Sequence, residues 1–279
     1  MKIFITGSDG QLGFELSEVL KDEQLFLGRK AEHDITHETI MHQIQEFHPD
    51  VVIHAAAYTD VDGCEKNRDL AHRVNAVGTS HVALATQKCG AKLFYISTDY
   101  VFSGRKRTPY EETDNPRPIN VYGQSKLEGE LFVQQCGWRY VILRTAWLYG
   151  RRGKNFVRTI LGKAAQDEEL RVVDDQVGCP TYARDLAQVI SAMIPLEAYG
   201  LYHAAGQGSC SWFEFAGEIL RLAGYNNRLK PIKSWEIDRP ARRPRYSVLS
   251  QQKLNALGIS LRPWKIALAD YIQEVIRDS

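Results

Sequence analysis

Short, wholly apolar runs alternate with amphipathic stretches along the first half of the chain. Ile3-Phe4-Ile5, Leu25-Phe26-Leu27, Val51-Val52-Ile53, Leu93-Phe94-Tyr95-Ile96 and Val141-Ile142-Leu143 each predict a short strand. None alternates apolar with polar, so each is expected to be buried on both faces. Between them lie residues at helical spacing: Leu12, Leu16, Val19 and Leu20, then Ile40, Ile44 and Phe47, then the long stretch from Leu70 to Cys89. Strands alternating with helices predict βαβ units, hence an α/β fold with a doubly wound parallel sheet. After about Gly150 the rhythm loosens. Phe156 to Ala165 and Leu186 to Met193 predict helices, as does the amphipathic end from Ile266 to Ile276. Leu170-Arg171-Val172-Val173 is a candidate extension of the sheet. Asp238 to Arg245 is basic and broken by proline, which predicts a loop. The expected organisation is a main sheet domain over 1–150, to which later segments return, and a smaller C-terminal lobe over 151–279. Ligands are expected at the carboxyl ends of the strands.

Composition narrows the class. At 279 residues the chain buries a full core without staples. Its 35 Lys+Arg balance 34 Asp+Glu, so it lacks the basic field that nucleic-acid or polybasic membrane binding needs. No apolar run approaches the ~18 residues of a membrane span. The apolar start, Ile3 to Ile5, is too short for a signal peptide and leads directly into glycine chemistry. Five widely spaced cysteines, with no CxxC pair, predict reduced thiols and a cytoplasmic protein. The eight histidines show no HExxH spacing, so no catalytic metal is expected. The expected partner is a small molecule.

Gly7-Ser8-Asp9-Gly10-Gln11-Leu12-Gly13 follows the first strand and opens the first helix. Gly7 permits the tight turn, Gly10 lets backbone approach a pyrophosphate, and Gly13 lets helix and strand pack closely. Free N–H groups at the helix start then hold phosphate. No Gly-Lys-Ser/Thr follows, so this is not a nucleotide-triphosphate loop. In this context the glycines predict a dinucleotide site on a Rossmann-type sheet. After the second strand comes Gly28-Arg29-Lys30, with no acid to hold a ribose 2′-hydroxyl. Arg29 and Lys30 suit a 2′-phosphate, which favours NADPH and leaves NADH possible. Asp34-Ile35 is placed to flank the adenine.

Tyr122 and Lys126 form a YxxxK pair, four residues apart on one helix face. A free tyrosine, with a pKa near 10, exchanges protons poorly at neutral pH. A neighbouring ammonium and a cationic ring are expected to lower it. Tyr122 then gives a proton to a carbonyl oxygen as hydride reaches its carbon. Thr98, at the end of the fourth strand, is placed to hydrogen-bond the same oxygen.

These residues resemble the extended short-chain dehydrogenase/reductases and, more narrowly, the dTDP-4-dehydrorhamnose reductase family. The resemblance rests on Gly10-Gln11-Leu12-Gly13, Asp34-Ile35, Ala55 to Asp62, Ser97 to Phe102, Asn120 to Lys126, Arg144 to Tyr149, Asp175 to Thr181 and Pro240 to Pro244. It covers nearly the whole chain. It implies reduction of dTDP-4-dehydro-L-rhamnose at C4, within dTDP-rhamnose and polysaccharide biosynthesis. It implies that Tyr122 is the proton donor, with Lys126 and Thr98 beside it. It places Gly10, Gln11, Leu12, Asp34, Ile35, Ala57, Tyr58 and Thr59 at the cofactor, with Ala56 and Ile96 alongside. Thr98, Asp99 and Trp147 match sugar-nucleotide contacts, and Val61 and Tyr100 lie nearby. Asn75 matches a helix asparagine that supports the active-site water network. Some members bridge two subunits with magnesium through glutamates. Glu15 matches one of these, but Arg184 stands where they carry Glu. The implied state is a monomer or weak homodimer without bridging magnesium.

Several residues keep two readings. His54 is either packed or in the cofactor groove, with packing favoured. Arg242, Arg243 and Arg245 either meet a substrate diphosphate or form a solvated basic loop; Arg242 is taken as a substrate contact. Another sugar-nucleotide enzyme is one rival, but Asp99 is followed by Tyr100 where a dehydratase needs Glu. A non-catalytic NADP-binding regulatory subunit, like that of methionine adenosyltransferase, is the other.

Overall fold

The computed structural model describes residues 1–166 and 169–277. Its central sheet has six parallel strands among the described residues: β1 (Lys2–Thr6), β2 (Gln24–Gly28), β3 (Val51–His54), β4 (Lys92–Thr98), β5 (Tyr140–Thr145) and β6 (Gly200–His203). Their order is β6-β5-β4-β3-β1-β2. Progression reverses between β1 and β3, so a crevice opens at their carboxyl ends, between Gly7 and Ala55-Ala56-Ala57. The first five strands are those the apolar runs predict. β6 is an edge strand whose first two residues are only half-buried, so no apolar run announces it.

Glu169–Val173 does not extend this sheet. It pairs in parallel with Arg228–Ile232 as a separate two-stranded ladder. The reason lies in its burial, which alternates: Glu169 and Arg171 are exposed, Leu170 and Val172 buried. A strand with charges on one face cannot enter a sheet covered on both.

Helices pack on both faces. On one, Ile3, Ile5, Val51, Ile53 and Leu143 meet Leu12 and Leu16 of the helix Gln11–Val19. Leu186, Ala187, Ile190 and Met193 of the helix Ala183–Met193 join the same core, so the later chain does return to the sheet. On the other, Phe4, Val52, Tyr95 and Ile142 meet Ile40, Ile44, Val82 and Val133. A separate core of Val157, Ile160, Phe215, Ile219 and Leu268 holds the second lobe together. The stretch expected as one helix from Leu70 to Cys89 is helical as Arg68–His72 and Gly78–Lys88, joined by a π-turn at Arg73–Val77. Such turns recur at functional sites.

The helix Val121–Gln135 is the element that carries Tyr122 and Lys126. Asn120 caps it, accepting from the Gly123 N–H at 2.8 Å and donating to the Arg242 carbonyl at 2.8 Å. Its glycines allow close seating. A Cβ at Gly123 would lie 2.1 Å from the Tyr100 carbonyl oxygen, and one at Gly129 2.5 Å from that of Asn75. Glu130, on the same helix, is buried. It accepts from the Ser97 hydroxyl at 2.5 Å and from Arg144 Nε and Nη2 at 2.9 and 2.6 Å. This forked pair ties the helix to β4 and β5.

Truncating Arg144 leaves the buried Glu130 carboxylate without its partner. Arg144→Ala is expected to lower the unfolding free energy by about 3–5 kcal/mol, measured by urea denaturation. A loss under about 1 kcal/mol would show that the pair does not anchor the helix.

Candidate active site

The groove begins at the glycine loop. Gly7 has φ +68°, and a Cβ there would meet Ala56 backbone at 2.8 Å. A Cβ at Gly13 would lie 2.2 Å from the Gly7 carbonyl. The loop therefore closes on itself only with these glycines. It borders a chamber of about 670 Å³ with walls from Gly10, Asp34, Ile35, Ala56 and Tyr58. A second chamber of about 400 Å³ shares Gly7, Gly10, Ala55 and Ala57 with the first, so the two run together. Its walls add Gln11, Leu12, Gly13, Thr59, Val61 and Ile96. Thr98, Asp99, Tyr100, Tyr122, Lys126 and Trp147 line it too.

Two expected site residues lie elsewhere. Arg29 lines neither chamber; its backbone N–H donates to His33 Nδ1 at 3.3 Å. Lys30 takes its place, and Arg73 joins it from the π-turn. Lys30 is next to Arg29 in sequence, but nothing in the spacing signals Arg73, which only the packing of its helix brings over. Arg242 lies in a third chamber of about 680 Å³, with Arg105, Arg239, Arg243, Arg245 and Trp235. The Asn120 amide pins the Arg242 carbonyl, and Asp62 grips Arg243 at 2.7 and 3.1 Å, which together hold this loop. Thr145, Lys154 and Trp212 also line the second chamber and escaped sequence reasoning.

Burial governs the ionisable groups. Lys126 is buried, and desolvation pushes its pKa down to about 7, against the opposing pull of Glu130. Its Nζ sits over the Tyr95 ring, 4.1 Å from the centroid. Burial likewise raises the Tyr122 phenol, opposed by a hydrogen bond with Thr98 and reinforced by Asp99. In the free protein, without the cofactor's cationic ring, the phenol is thus raised: desolvation and the neighbouring Asp99 act in the same direction and outweigh the Thr98 hydrogen bond. Asp99 is pushed up to about 7 by burial, with Ser247 and Thr98 opposing.

The surroundings fix these groups. Asn75 Oδ1 accepts from the Tyr58 N–H at 2.8 Å, and its Nδ2 donates to the Tyr58 carbonyl at 3.1 Å and to Ser125 Oγ at 3.0 Å. It thereby joins the loop after β3 to the helix of Tyr122. Trp147 has φ +47°, strained for a residue with a side chain. Its indole stacks on Trp212 with centroids 3.5 Å apart, and a Cβ at Gly178 would lie 2.5 Å from it. His54 is packed and lines neither chamber: Nδ1 lies 2.7 Å from Thr6 Oγ1 and Nε2 3.0 Å from Thr79 Oγ1. Below the glycine loop, Arg151 grips Glu15 at 2.6 and 2.8 Å, and Arg184 meets Glu274 at 2.8 Å.

The groove fits a dinucleotide beside a second ligand. Its edge is glycine backbone that no Cβ could replace without striking the loop, and three buried oxygens of residues that line it, Gln11 Oε1, Asp99 Oδ2 and Thr145 Oγ1, have no hydrogen bond of good geometry among the described residues.

Residues 1–277 match the family described as RmlD substrate binding domain. The chain belongs to this family. It is 40 % identical over 278 residues to the spore coat polysaccharide biosynthesis protein SpsK of Bacillus subtilis, covering 98 % of this chain and 97 % of that one. It is 40 % identical to the dTDP-4-dehydrorhamnose reductase of Mycobacterium tuberculosis, covering 96 % and 91 %. The crystal structure of the Bacillus anthracis dTDP-4-dehydrorhamnose reductase in complex with NADP superposes with a TM-score of 0.95 at 44 % identity, covering 98 % and 99 %. The family is one of NAD(P)H-dependent reductases on a Rossmann-type sheet, and the chain is an enzyme of that type.

His54 provides a check on this packing. Burial pushes its pKa down to about 3, with Lys126 adding to the shift. Unfolded, the ring takes a proton below about pH 6.5; folded, it does not until about 3. The unfolded state therefore binds more protons between these values, and stability falls as pH drops through that window. A His54→Gln variant is expected to lose unfolding free energy less steeply, by up to about 1.4 kcal/mol per pH unit. Parallel curves from pH 6 to pH 4 would contradict this.

Proposed function

We propose that the protein reduces dTDP-4-dehydro-β-L-rhamnose to dTDP-β-L-rhamnose, with NADPH as hydride donor and Tyr122 as proton donor. The observation that carries this is the shared wall: Thr98, Tyr122 and Lys126 face one chamber that opens into the glycine-loop crevice. Bound NADPH supplies a hydride to C4 of the sugar. Gly7, Gly10, Gln11, Leu12 and Gly13 hold its diphosphate, and Asp34, Ile35, Ala56, Ala57, Tyr58 and Thr59 its adenosine side. Lys30 and Arg73 are the cations for a 2′-phosphate. The phenol of Tyr122, kept protonated by burial, gives its proton to the C4 oxygen. Thr98 steadies the charge that develops there. Lys126 holds the nicotinamide ribose. Asp99, Tyr100, Val61 and Trp147 position the sugar, and the arginine-lined chamber suits the nucleotide's phosphates.

The test follows NADPH oxidation at 340 nm with enzymatically prepared dTDP-4-dehydro-L-rhamnose. Tyr122→Phe is expected to lower kcat by about 10² to 10⁴, with NADPH fluorescence still reporting binding. A folded, NADPH-binding wild type that leaves the sugar untouched would defeat the proposal.

We also infer that no magnesium bridges subunits of this protein. The Glu15 carboxylate is already neutralised by Arg151, and Arg184 adds a second cation nearby. The melting temperature is expected to be the same in EDTA and in millimolar magnesium. A rise of several degrees with magnesium would overturn this.

A further inference from the structure

Each turnover leaves Tyr122 without its proton, on a half-buried ring whose desolvation makes a phenolate costly. We propose that Asp99 resupplies that proton, passing it through the Thr98 hydroxyl. The proposal rests on Tyr122 being the proton donor.

Three oxygens stand in sequence. Asp99 opens the 3-10 turn Asp99–Val101 at the carboxyl end of β4, directly after Thr98. Thr98 Oγ1 is 3.1 Å from Asp99 Oδ1. Thr98 and Tyr122 line the same chamber, and the Thr98 hydroxyl is near enough to the phenol to oppose the rise in its pKa. The hydroxyl's position is fixed by the Tyr100 N–H, which donates to it at 3.2 Å. The other carboxyl oxygen, Asp99 Oδ2, is buried and makes no hydrogen bond of good geometry among the described residues, though the Ser247 hydroxyl lies close enough to favour the anion.

The groups facing Asp99 come from each packed element: Thr98 and Tyr100 from its own strand end, Tyr122 from the helix, Ser247 from the C-terminal segment, and Cys179. Burial raises Tyr100 and Tyr122 and pushes the Cys179 thiol up to about 12, so all of these are neutral near pH 7. In that setting Asp99 exchanges its proton near neutrality, at about 7. An acid of that strength is a far better donor to a phenolate than water.

The protons balance. Hydride forms the new C–H bond at C4, and the carbonyl π pair moves to the oxygen. That oxygen takes the Tyr122 proton. The phenolate takes one from Thr98 Oγ1, which takes one from the Asp99 carboxyl. The Asp99 carboxylate recovers a proton from water when product leaves the groove.

The experiment compares wild type and Asp99→Asn by stopped flow, with the full chain, NADPH and enzymatically prepared dTDP-4-dehydro-L-rhamnose. Asp99 donates only when protonated. Wild-type kcat is therefore expected to hold below about pH 7 and to fall about tenfold per pH unit above it. In Asp99→Asn this limb is lost, and kcat falls at least about tenfold further than the single-turnover rate, because the first proton is already on Tyr122. Equal loss in both rates with the limb retained would reduce Asp99 to holding the sugar, and would overturn the relay. If the variant fails to bind NADPH by fluorescence, wild type decides alone: a flat kcat from about pH 6 to pH 8 overturns it. A wild type inert toward the sugar removes the functional reading itself.

Discussion

Everything in the groove depends on how closely the helix Val121–Gln135 seats against the sheet. Two of its residues are glycines with backbone or phenol oxygens where a Cβ would stand. A third contact is ionic: Glu130 reaches Ser97 on β4 and Arg144 on β5 in one buried fork. A buried pair of this kind adds little net stability, since desolvation offsets most of the attraction. Its effect is on register. Any other rotation of the helix strands a carboxylate in the core, so Tyr122 and Lys126 are held facing the end of β4, where Thr98 waits.

That seating also desolvates the groups around it, and desolvation sets their electrostatics. Burial penalises whichever form carries charge. It moves Lys126 down to about 7 and Asp99 up to about 7, from opposite ends of the scale. Tyr122 moves away from neutrality for the same reason. The outcome is a phenol that keeps its proton in the free protein, flanked by two groups whose pKa values burial brings to about 7. The expectation of a lowered tyrosine counted the lysine's charge and the cofactor's cationic ring but not the cost of hiding the phenolate from water.

The second lobe closes the other side. It contributes Trp212 and Lys154 to the chamber wall, and its stacked Trp212 supports Trp147 in a strained backbone conformation. Strain of that kind persists only where surrounding contacts over-determine it. Here Gly178 leaves room for the indole and Trp212 covers it. The arginines at 239, 242, 243 and 245 line a separate chamber, and the charges of Arg239 and Arg243 oppose the rise of the Tyr100 pKa.

Local sequence determined the elements whose signal is local. Five wholly apolar runs pointed to doubly covered strands, and the glycines between a strand and a helix to a tight turn, which the structure has at Gly7. The pairing of Tyr122 with Lys126 followed from helical spacing, and the packed His54 from its place in an apolar strand. Resemblance added most of the groove's other residues. What tertiary structure alone decided were contacts between residues far apart in the chain. Arg73 joins Lys30 in the chamber beside the glycine loop, because a π-turn and helix packing bring it there. Arg242 is held in the arginine-lined chamber by an amide 122 residues away. Glu169–Val173 leaves the main sheet because its charged face needs solvent. Side-chain type and spacing set which elements form. Burial and long-range pairing, which no window of sequence contains, set which side chains meet and how strongly each holds its proton.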